Sequence, residues 1–557
     1  MLIFGIIIII LSSFNLKTIK EVKEIYRISI ILLLQIIVIL YDSIELDFIN
    51  KGISIYNDIL IITSYTKIIE LIILIITILY IYVIKEYIIS TNNVSTAAVA
   101  AQSGLHKLLI VLLINILGII LFIQWNNSIV IFITLELQSY TIYIICTLFT
   151  KSYNSTKSGL LYFLLGSVGS IIVLFGLTLL YSEIGLLNMN DISNIYNNGS
   201  LAYLSYGSSY NNIILGYIFI IIGLLFKIGT WPFHNWLINI YANTPTIITI
   251  WISIITKISI LTVLYTIISN SSNALLGYVS QTFNNGDGSL SIINSIPLLL
   301  GIISLFSIIF GAFGGLGQFT IKRIIGYSGL VNSGYFIFII LSNNNSTLST
   351  YIFNIYQYSL THIVWFMLIL VNGLYYSNNK ILNKLYNKNG STKWIKTTMN
   401  LSYVKDLYGY LFINPYVGFC YIIVLSSLIG IPPLTGFYAK YYILLTGINS
   451  SYLFLSIIVL LSSSLTAYYY LFIIKNLIIT DNNGSEVNSI INIWKSVKLT
   501  SNNTSTGGAH VAQITPILSI LISTIIIIII GITIGLDIAN NGTHIVESYY
   551  IDGAQYV

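Results

Sequence analysis

Charged residues are scarce in this chain. Asp, Glu, Lys and Arg together make up 8% of its 557 residues, whereas 56% of the residues are hydrophobic, and the mean hydropathy is +0.88. Soluble globular domains carry about 25% charged residues, so this composition excludes a soluble globular chain. It indicates a membrane protein that crosses the bilayer many times.

Cysteine is also rare. The two cysteines, Cys146 and Cys420, each lie within an apolar run, so the chain can build neither a disulfide framework nor a zinc or iron–sulfur site from cysteine. The basic residues form no cluster of the kind that binds nucleic acid or anionic lipid headgroups. The glycine-rich run 311–319 lacks the GK[ST] ending of a phosphate-binding loop. The sequence therefore predicts no cofactor, metal or nucleic acid bound to this chain.

Apolar runs of spanning length predict about fourteen transmembrane helices. The predicted bounds are 1–14, 26–41, 60–84, 105–123, 127–150, 158–181, 212–230, 246–268, 294–314, 324–342, 350–375, 411–446, 451–475 and 514–536. The first run, MLIFGIIIIILSSF, lacks the basic start and the cleavage site of a signal peptide, and we expect it to be retained as a helix. The predicted fold class is an all-α, polytopic membrane protein.

The charges in the loops predict how these helices are threaded through the membrane. When both termini are placed on one side, almost all loop lysines and arginines fall on the opposite side, including those of loops 376–410 and 476–512. Most acidic loop residues fall on the side of the termini. By the positive-inside rule, this partition places both termini on the outer side.

Two of the predicted spans are interrupted by glycine and proline. The run KIGTWP interrupts the segment 212–241, and GIPP interrupts the segment 411–446. Proline removes a backbone donor, and irregular backbone at membrane depth is tolerated only where it is buried in protein or lines a wet cavity. Four predicted spans separate the breaks, and a lysine lies near each of them, Lys227 and Lys440. This pattern predicts two inverted five-helix repeats, each with a broken helix.

Ionisable residues inside predicted spans are the candidate functional residues. They are Glu136, Lys227, Lys257 and Lys440. A lysine at the centre of a spanning helix costs roughly 2.5 to 3.5 kcal/mol by insertion scales, and Lys257 lies about halfway along its run, where snorkelling to the interface is difficult. Glu70 lies nearer a helix end, where an i,i+3 ion pair with Lys67 is a sufficient structural explanation.

Six stretches form a set of motifs. They are LELQSY around Glu136, FKIGTWPFHNW around Lys227, NTPTIITIWISIITK ending at Lys257, IKRIIGYSGLVNSGY at 321–335, VKDLYGY at 404–410 and SLIGIPPLTGFYAK ending at Lys440. From about Leu105 to Lys475, this set resembles the antiporter-like membrane subunits of respiratory complex I. Asn239, Leu161 and Asn332 depart from the residues usual in that family, so no family role is carried over to them.

The resemblance implies a proton relay in which Glu136 pairs with Lys227, Lys257 is the central station and Lys440 the terminal one. The implied activity is that of a subunit of H⁺-translocating NADH:ubiquinone reductase with no redox or substrate site of its own. FMN, iron–sulfur clusters and ubiquinone are expected elsewhere in the complex. The implied partners are the other membrane subunits, including neighbouring antiporter-like subunits, and phospholipid.

The resemblance also implies an organisation along the chain. Residues 1–104 form an N-terminal three-helix segment with its loop, and residues 105–268 form the first antiporter-like repeat. Residues 269–475 form the second repeat, and residues 476–557 form a loop and the final helix.

The excess of Ile, Asn and Tyr is what an AT-rich genome favours, and it indicates organellar coding. The implied location is the mitochondrial inner membrane, with both termini in the intermembrane space.

A switch between the paired residues is the predicted mechanism. Burial disfavours a charged ammonium group, and an adjacent carboxylate favours it. Lys227 is therefore expected to keep its proton while Glu136 is close and to pass it to Lys257 when the pair opens, through water and through His234 or His362. Two other classes of function stay open, an autonomous cation/proton antiporter of the related multi-subunit kind and a purely structural membrane scaffold.

Overall fold

The apolar runs of this chain form helices because a helix satisfies every backbone N–H and C=O within one segment, which lipid cannot do. The computed structural model describes residues 5, 19–44, 52–92, 98–150, 152–192, 208–285, 295–342, 347–377, 403–479 and 516–531.

The helices are numbered in chain order. Their bounds are α1 Ile19–Ile44, α2 Ser64–Asn92, α3 Ala98–Ile123, α4 Ser128–Thr147, α5 Tyr153–Ile184, α6 Ser208–Ile228, α7 Asn235–Asn243, α8 Thr246–Asn285, α9 Ser295–Leu316, α10 Ile321–Ser342, α11 Thr347–Ser377, α12 Tyr410–Ile413, α13 Pro415–Ile429, α14 Thr435–Asn449, α15 Leu453–Ile478 and α16 Pro516–Gly531. A 3₁₀ turn at Val404–Leu407 precedes α12, and the strands β1 Ile53–Ile55 and β2 Leu60–Ile62 pair antiparallel.

The predicted all-α, polytopic class is confirmed. Within the described residues, nine helices are long and apolar enough to cross a membrane, and shorter apolar helices accompany them. Every predicted span after 1–14 overlaps a described helix. The span 1–14, apart from Gly5, lies outside the described residues, as do most of loops 376–410 and 476–512. The count of fourteen helices and the two inverted repeats stay predictions.

The structure differs from the predicted helix map at several helix ends; α8, for example, continues to Asn285, beyond the predicted end at residue 268. The span predicted from residue 60 begins as the strand β2, because Leu60–Ile62 pairs with β1 across a turn whose residues 56–58 have positive φ. Helix α3 begins at Ala98 rather than at residue 105. The run AVAAQ lacks a spanning hydropathy pattern, but alanine and glutamine favour helix, so the helix extends into it.

Three helices form the centre of the molecule. In an apolar 18-residue stretch of α8, 100% of the residues are buried, and in the corresponding stretches of α10 and α11 the share is 89%. In α1 and α15 only 28% and 33% of the residues in such a stretch are buried. Helices α1 and α15 instead expose apolar side chains such as Ile31 and Leu461, as expected for faces that meet lipid or another membrane subunit. Any polar group on the inner faces of α8, α10 and α11 is therefore remote from bulk water.

Candidate functional site

The first broken helix ends on a glycine with left-handed backbone. Helix α6 ends at Ile228, and Gly229 follows with φ of 74°. The N–H of Thr230 donates to the carbonyl of Leu225 at 3.2 Å, which is the 6→1 bond of a Schellman motif. The peptide between Trp231 and Pro232 is cis, and α7 begins at Asn235. The break therefore ends α6 immediately beyond Lys227.

The second broken helix ends in the same manner. Helix α13 ends at Ile429, and Gly430 follows with φ of 89°. The N–H of Ile431 donates to the carbonyl of Ser426 at 3.1 Å, which again is a 6→1 bond. The bond between Pro432 and Pro433 is cis, and α14 begins at Thr435. Both breaks that the sequence predicts are present, with matching backbone hydrogen bonds.

Glu136 on α4 and Lys227 on α6 form a buried ion pair. The distance from Lys227 Nζ to Glu136 Oε1 is 3.8 Å, and the side chains are 7% and 15% exposed, respectively. Neither atom has a hydrogen-bond partner among the described residues. The hydroxyl of Ser139 donates to Glu136 Oε2 at 3.4 Å. The pairing predicted from the sequence is confirmed, and it is a long contact with room for rearrangement.

Lys257 lies at the centre of the bundle on α8 and is 4% exposed. Its ammonium donates to the carbonyl of Gly329 on α10 at 3.0 Å, and it lies 5.9 Å from the centre of the Tyr241 ring. Among the described residues, no carboxylate pairs with it. Lys257 is thus the deep lysine that the sequence predicts, and a neutral carbonyl holds it in place.

Lys440 on α14 reaches back across the second break. Its ammonium donates to the carbonyl of Ile429 at 2.7 Å, the last residue of α13. The last carbonyls of a helix lack partners within the helix, and that end carries a partial negative charge that favours a cation. The lysine therefore caps the first half of its own broken helix.

The two candidate histidines have different surroundings. His362 on α11 is fully buried, its Nδ1 lies 3.0 Å from the carbonyl of Tyr358, and its Nε2 has no partner among the described residues. The hydroxyl of Tyr358 donates to the carbonyl of Ser253 at 2.8 Å, one turn before Lys257 on α8. His362 therefore lies close to the central lysine.

His234 lies beside an aromatic side chain of α9. It is half-buried at the start of α7, with its ring 6.1 Å from that of Phe310 on α9. Among the described residues, no hydrogen bond joins it to Lys227 or Lys257. Of the departures from the family pattern, Asn239 is exposed, and Leu161 and Asn332 are half-buried.

Sequence reasoning missed a further buried lysine. Lys322 falls between the predicted spans 294–314 and 324–342, but it is 6% exposed, and its ammonium donates to the carbonyl of Thr244 at 2.6 Å. Its position directly before an apolar run was the available signal. The carbonyl of Thr244 follows the end of α7, so Lys322 fixes α10 to the corner between α7 and α8.

The ion pair expected between Glu70 and Lys67 is not formed. Glu70 is 1% exposed and accepts a hydrogen bond from Gln124 Nε2 at 2.6 Å. Lys67 instead donates to the carbonyl of Ser43 at 3.3 Å. Both partners come from segments distant in sequence, and they displace the local i,i+3 contact.

No candidate metal site occurs in the part of the chain that the structure describes. Groups of three or more His, Cys, Asp or Glu side chains that could hold an ion are absent there. Cys146 is buried and Cys420 is half-buried, and both are free thiols. The chemistry that the described site supports is proton binding and release at lysine, glutamate, histidine and tyrosine side chains.

A known family and two relatives match this chain. The transmembrane family described as NADH:quinone oxidoreductase/Mrp antiporter matches residues 126–283 and 287–466. NADH-ubiquinone oxidoreductase chain 2 of Wickerhamomyces canadensis is 39% identical over 59% of this chain and 54% of its own length. NADH-ubiquinone oxidoreductase chain 2 of Rhizopus oryzae is 30% identical over 82% of each chain. This chain therefore spans about half the length of the first relative.

A solved structure shares the fold. A chain of the membrane-bound sulfane sulfur reductase, an archaeal respiratory membrane complex, superposes with a TM-score of 0.71. The alignment covers 100% of this chain and 97% of that chain, at 18% sequence identity. This chain therefore has the same overall fold as that chain.

Proposed function

We propose that this chain, which belongs to the NADH:quinone oxidoreductase/Mrp antiporter transmembrane family, moves protons across a membrane as one subunit of an NADH:ubiquinone oxidoreductase. The observation that carries the proposal is the series of Glu136, Lys227, Lys257 and Lys440, in which Lys227 and Lys257 are buried and Glu136 and Lys440 are half-buried. Four ionisable groups inside a bundle are costly to retain. A relay of protons between them gives a reason for their presence.

The first step is a switch at the ion pair. With Glu136 close, the charged form of Lys227 is favoured, and separation of the two side chains removes that support. The 3.8 Å contact leaves neither charged atom with a direct hydrogen bond among the described residues. A small movement of α4 relative to α6 is therefore sufficient to change how firmly Lys227 holds its proton.

The next steps use lysines with different partners. The ammonium of Lys257 has a neutral carbonyl as its hydrogen-bond acceptor, so its charged and neutral forms are more evenly balanced than those of a lysine beside a carboxylate. Lys440 is held at the end of α13, where the helix dipole favours its charged form. We assign Lys257 as the central station and Lys440 as the terminal one. His362 lies close to Lys257 and is retained as a candidate relay residue, whereas His234 has less support.

The proposal places the redox chemistry in other subunits. FMN, iron–sulfur clusters and ubiquinone are expected to be bound elsewhere in the complex, and the partners are its other membrane subunits, including neighbouring antiporter-like subunits, and phospholipid. The proposed location is the mitochondrial inner membrane, with both termini in the intermembrane space. Proteolysis of sealed inner-membrane vesicles of known orientation tests this placement, because cleavage of loops 376–410 and 476–512 from the intermembrane side would contradict it.

A second function is favoured by the family itself, whose description includes the Mrp antiporter. In that case the chain would exchange cations for protons without any redox partner. We expect instead that the chain co-purifies with an NADH-ubiquinone oxidoreductase, as the names of both relatives suggest, and the family resemblance implies that this assembly contains flavin and iron–sulfur clusters. Co-migration on a native gel, read by flavin fluorescence, measures this. Cation exchange by the chain in vesicles without that assembly would favour the antiporter.

The contact between Gly329 and Lys257 gives a prediction of its own. A Cβ atom added at Gly329 would lie 2.9 Å from Lys257 Nζ, closer than such atoms approach one another, so the ammonium must move. Because the displaced group is the end of a flexible side chain, Gly329→Ala is expected to assemble normally and to lower quinone-linked NADH oxidation several-fold. The measurement is turnover per assembled complex.

A matched control for Gly329→Ala is available in α9. A Cβ atom at Gly301 would meet its nearest neighbour, Leu341, at 3.7 Å, an ordinary contact, so Gly301→Ala is expected to leave turnover unchanged. Equal turnover of the two variants would show that the position of the Lys257 ammonium does not matter.

A further inference from the structure

The hydroxyl of Tyr241 is a buried polar group that lacks a partner. Tyr241 on α7 is 1% exposed, and among the described residues its Oη has no hydrogen bond. An unpaired hydroxyl in a dry interior is unfavourable, so such groups usually bind ordered water or serve a function. None of the six motifs nor the predicted relay includes this hydroxyl.

Helix α7 lies where a connection between the first two lysines is needed. It follows directly on the break that ends α6 beyond Lys227, and the Tyr241 ring centre is 5.9 Å from Lys257 Nζ. Near its other end, Trp236 stacks on Phe226, the residue before Lys227, with ring centres 5.6 Å apart. The indole N–H of Trp236 is likewise without a partner among the described residues. Unpaired polar groups thus occur along α7 from the neighbourhood of Lys227 to that of Lys257.

We propose that the Tyr241 hydroxyl is the station through which a proton passes from Lys227 to Lys257. This inference rests on the proposed proton translocation and names the residue that links its first two lysines. The ammonium of Lys227 gives a proton through water to the hydroxyl oxygen, and the hydroxyl releases its own proton, again through water, to the neutral amine of Lys257. Lys227 ends as a neutral amine, Lys257 as an ammonium, and the hydroxyl and the water are unchanged.

A hydroxyl suits this position because it both accepts and donates a hydrogen bond. His234, which the sequence suggests for the same step, lies against Phe310 instead. The ring of Tyr241 has a second effect, since an aromatic face near a lysine stabilises its ammonium form. The two effects are separable, because phenylalanine keeps the ring and removes only the hydroxyl.

The test compares Tyr241→Phe and Tyr241→His with Tyr217→Phe, a matched change at another buried tyrosine on α6. In the assembled complex, we expect Tyr241→Phe to lower quinone-linked turnover and proton pumping several-fold, and Tyr217→Phe to change neither. We expect Tyr241→His to recover part of the loss, because imidazole also passes protons. A packing role predicts the opposite order, since phenylalanine is the better steric match for tyrosine.

The outcomes separate this inference from the proposed function. If Tyr241→Phe matches Tyr217→Phe while Lys257→Met is impaired, the tyrosine station is wrong and the lysine relay stands. If Tyr241→Phe and Lys257→Met are both normal, the proposed function fails as well. If the Tyr241 variants do not assemble, a high-resolution experimental map of the unaltered complex tests whether water binds the Tyr241 hydroxyl. We expect an ordered water within hydrogen-bond distance of Tyr241 Oη, and a dry hydroxyl there would overturn the inference.

Discussion

Replacing Lys257 by methionine is expected to lower NADH:ubiquinone turnover several-fold in the assembled complex. Methionine keeps an unbranched apolar stem of similar length but removes the titrating group and its hydrogen bond to Gly329. Packing around α8 is therefore expected to survive while the central station is lost. Because turnover and translocation are coupled in this account, blocking the second slows the first. NADH oxidation by an artificial acceptor that bypasses the membrane subunits is expected to be unchanged.

Lys257→Arg distinguishes proton transfer from charge alone. Arginine retains the positive charge, but its guanidinium does not deprotonate in the accessible range, so it cannot pass a proton on. We expect Lys257→Arg to be at least as damaging as Lys257→Met. Lys475→Met, at an exposed lysine in the last turn of α15, is the matched control and is expected to be neutral. Full activity of Lys257→Arg would mean that turnover needs only a positive charge at this position and no proton transfer through it.

The second large effect is expected at the ion pair. Lys227→Met leaves the carboxylate of Glu136 without its counter-charge in a site where only 15% of that side chain is exposed. Glu136→Gln removes the group that supports the charged form of Lys227. Each change alone is expected to lower quinone-linked turnover several-fold. Lys227→Met removes the amine that binds the proton, and Glu136→Gln removes the carboxylate that stabilises the protonated amine.

A double-mutant cycle shows whether the two residues act as one unit. Residues that interact directly have non-additive effects, so Lys227→Met combined with Glu136→Gln is expected to be no worse than the more damaging single change. Turnover of the four assembled forms, with artificial-acceptor activity as the control, measures this. Losses that simply multiply would mean that the 3.8 Å contact has no functional role.

The sequence predicts the features that local chemistry determines. In KIGTWP and in GIPP a glycine is followed within three residues by a proline, and each run interrupts a helix where the sequence predicts the break. A lysine or glutamate in an apolar run has few partners, so Glu136 and Lys227 could be paired from their depth and from the family resemblance. The burial of Lys257 follows in the same manner from its central position in a long apolar run.

Features that depend on packing between distant segments could not be predicted. Lys322 is polar and adjacent to an arginine, and only the carbonyl of Thr244, contributed by another helix corner, explains its burial. The acceptor for Lys257 is a backbone carbonyl at Gly329, which has no side chain to signal the contact. Tyr241 is one of 43 tyrosines, and its missing hydrogen bond is visible only after folding.

The most direct test of the relay is the number of protons moved per NADH oxidised by the assembled complex in sealed vesicles. The measurement compares the unaltered chain with Lys257→Met and, as control, Lys475→Met, using a pH-sensitive dye and residual turnover in the same preparation. We expect Lys475→Met to match the unaltered chain. For Lys257→Met, we expect either a lower proton yield per NADH or a loss of turnover that removes the gradient. Normal quinone-linked turnover with a normal gradient in Lys257→Met would show that the buried lysine is structural and would contradict the relay.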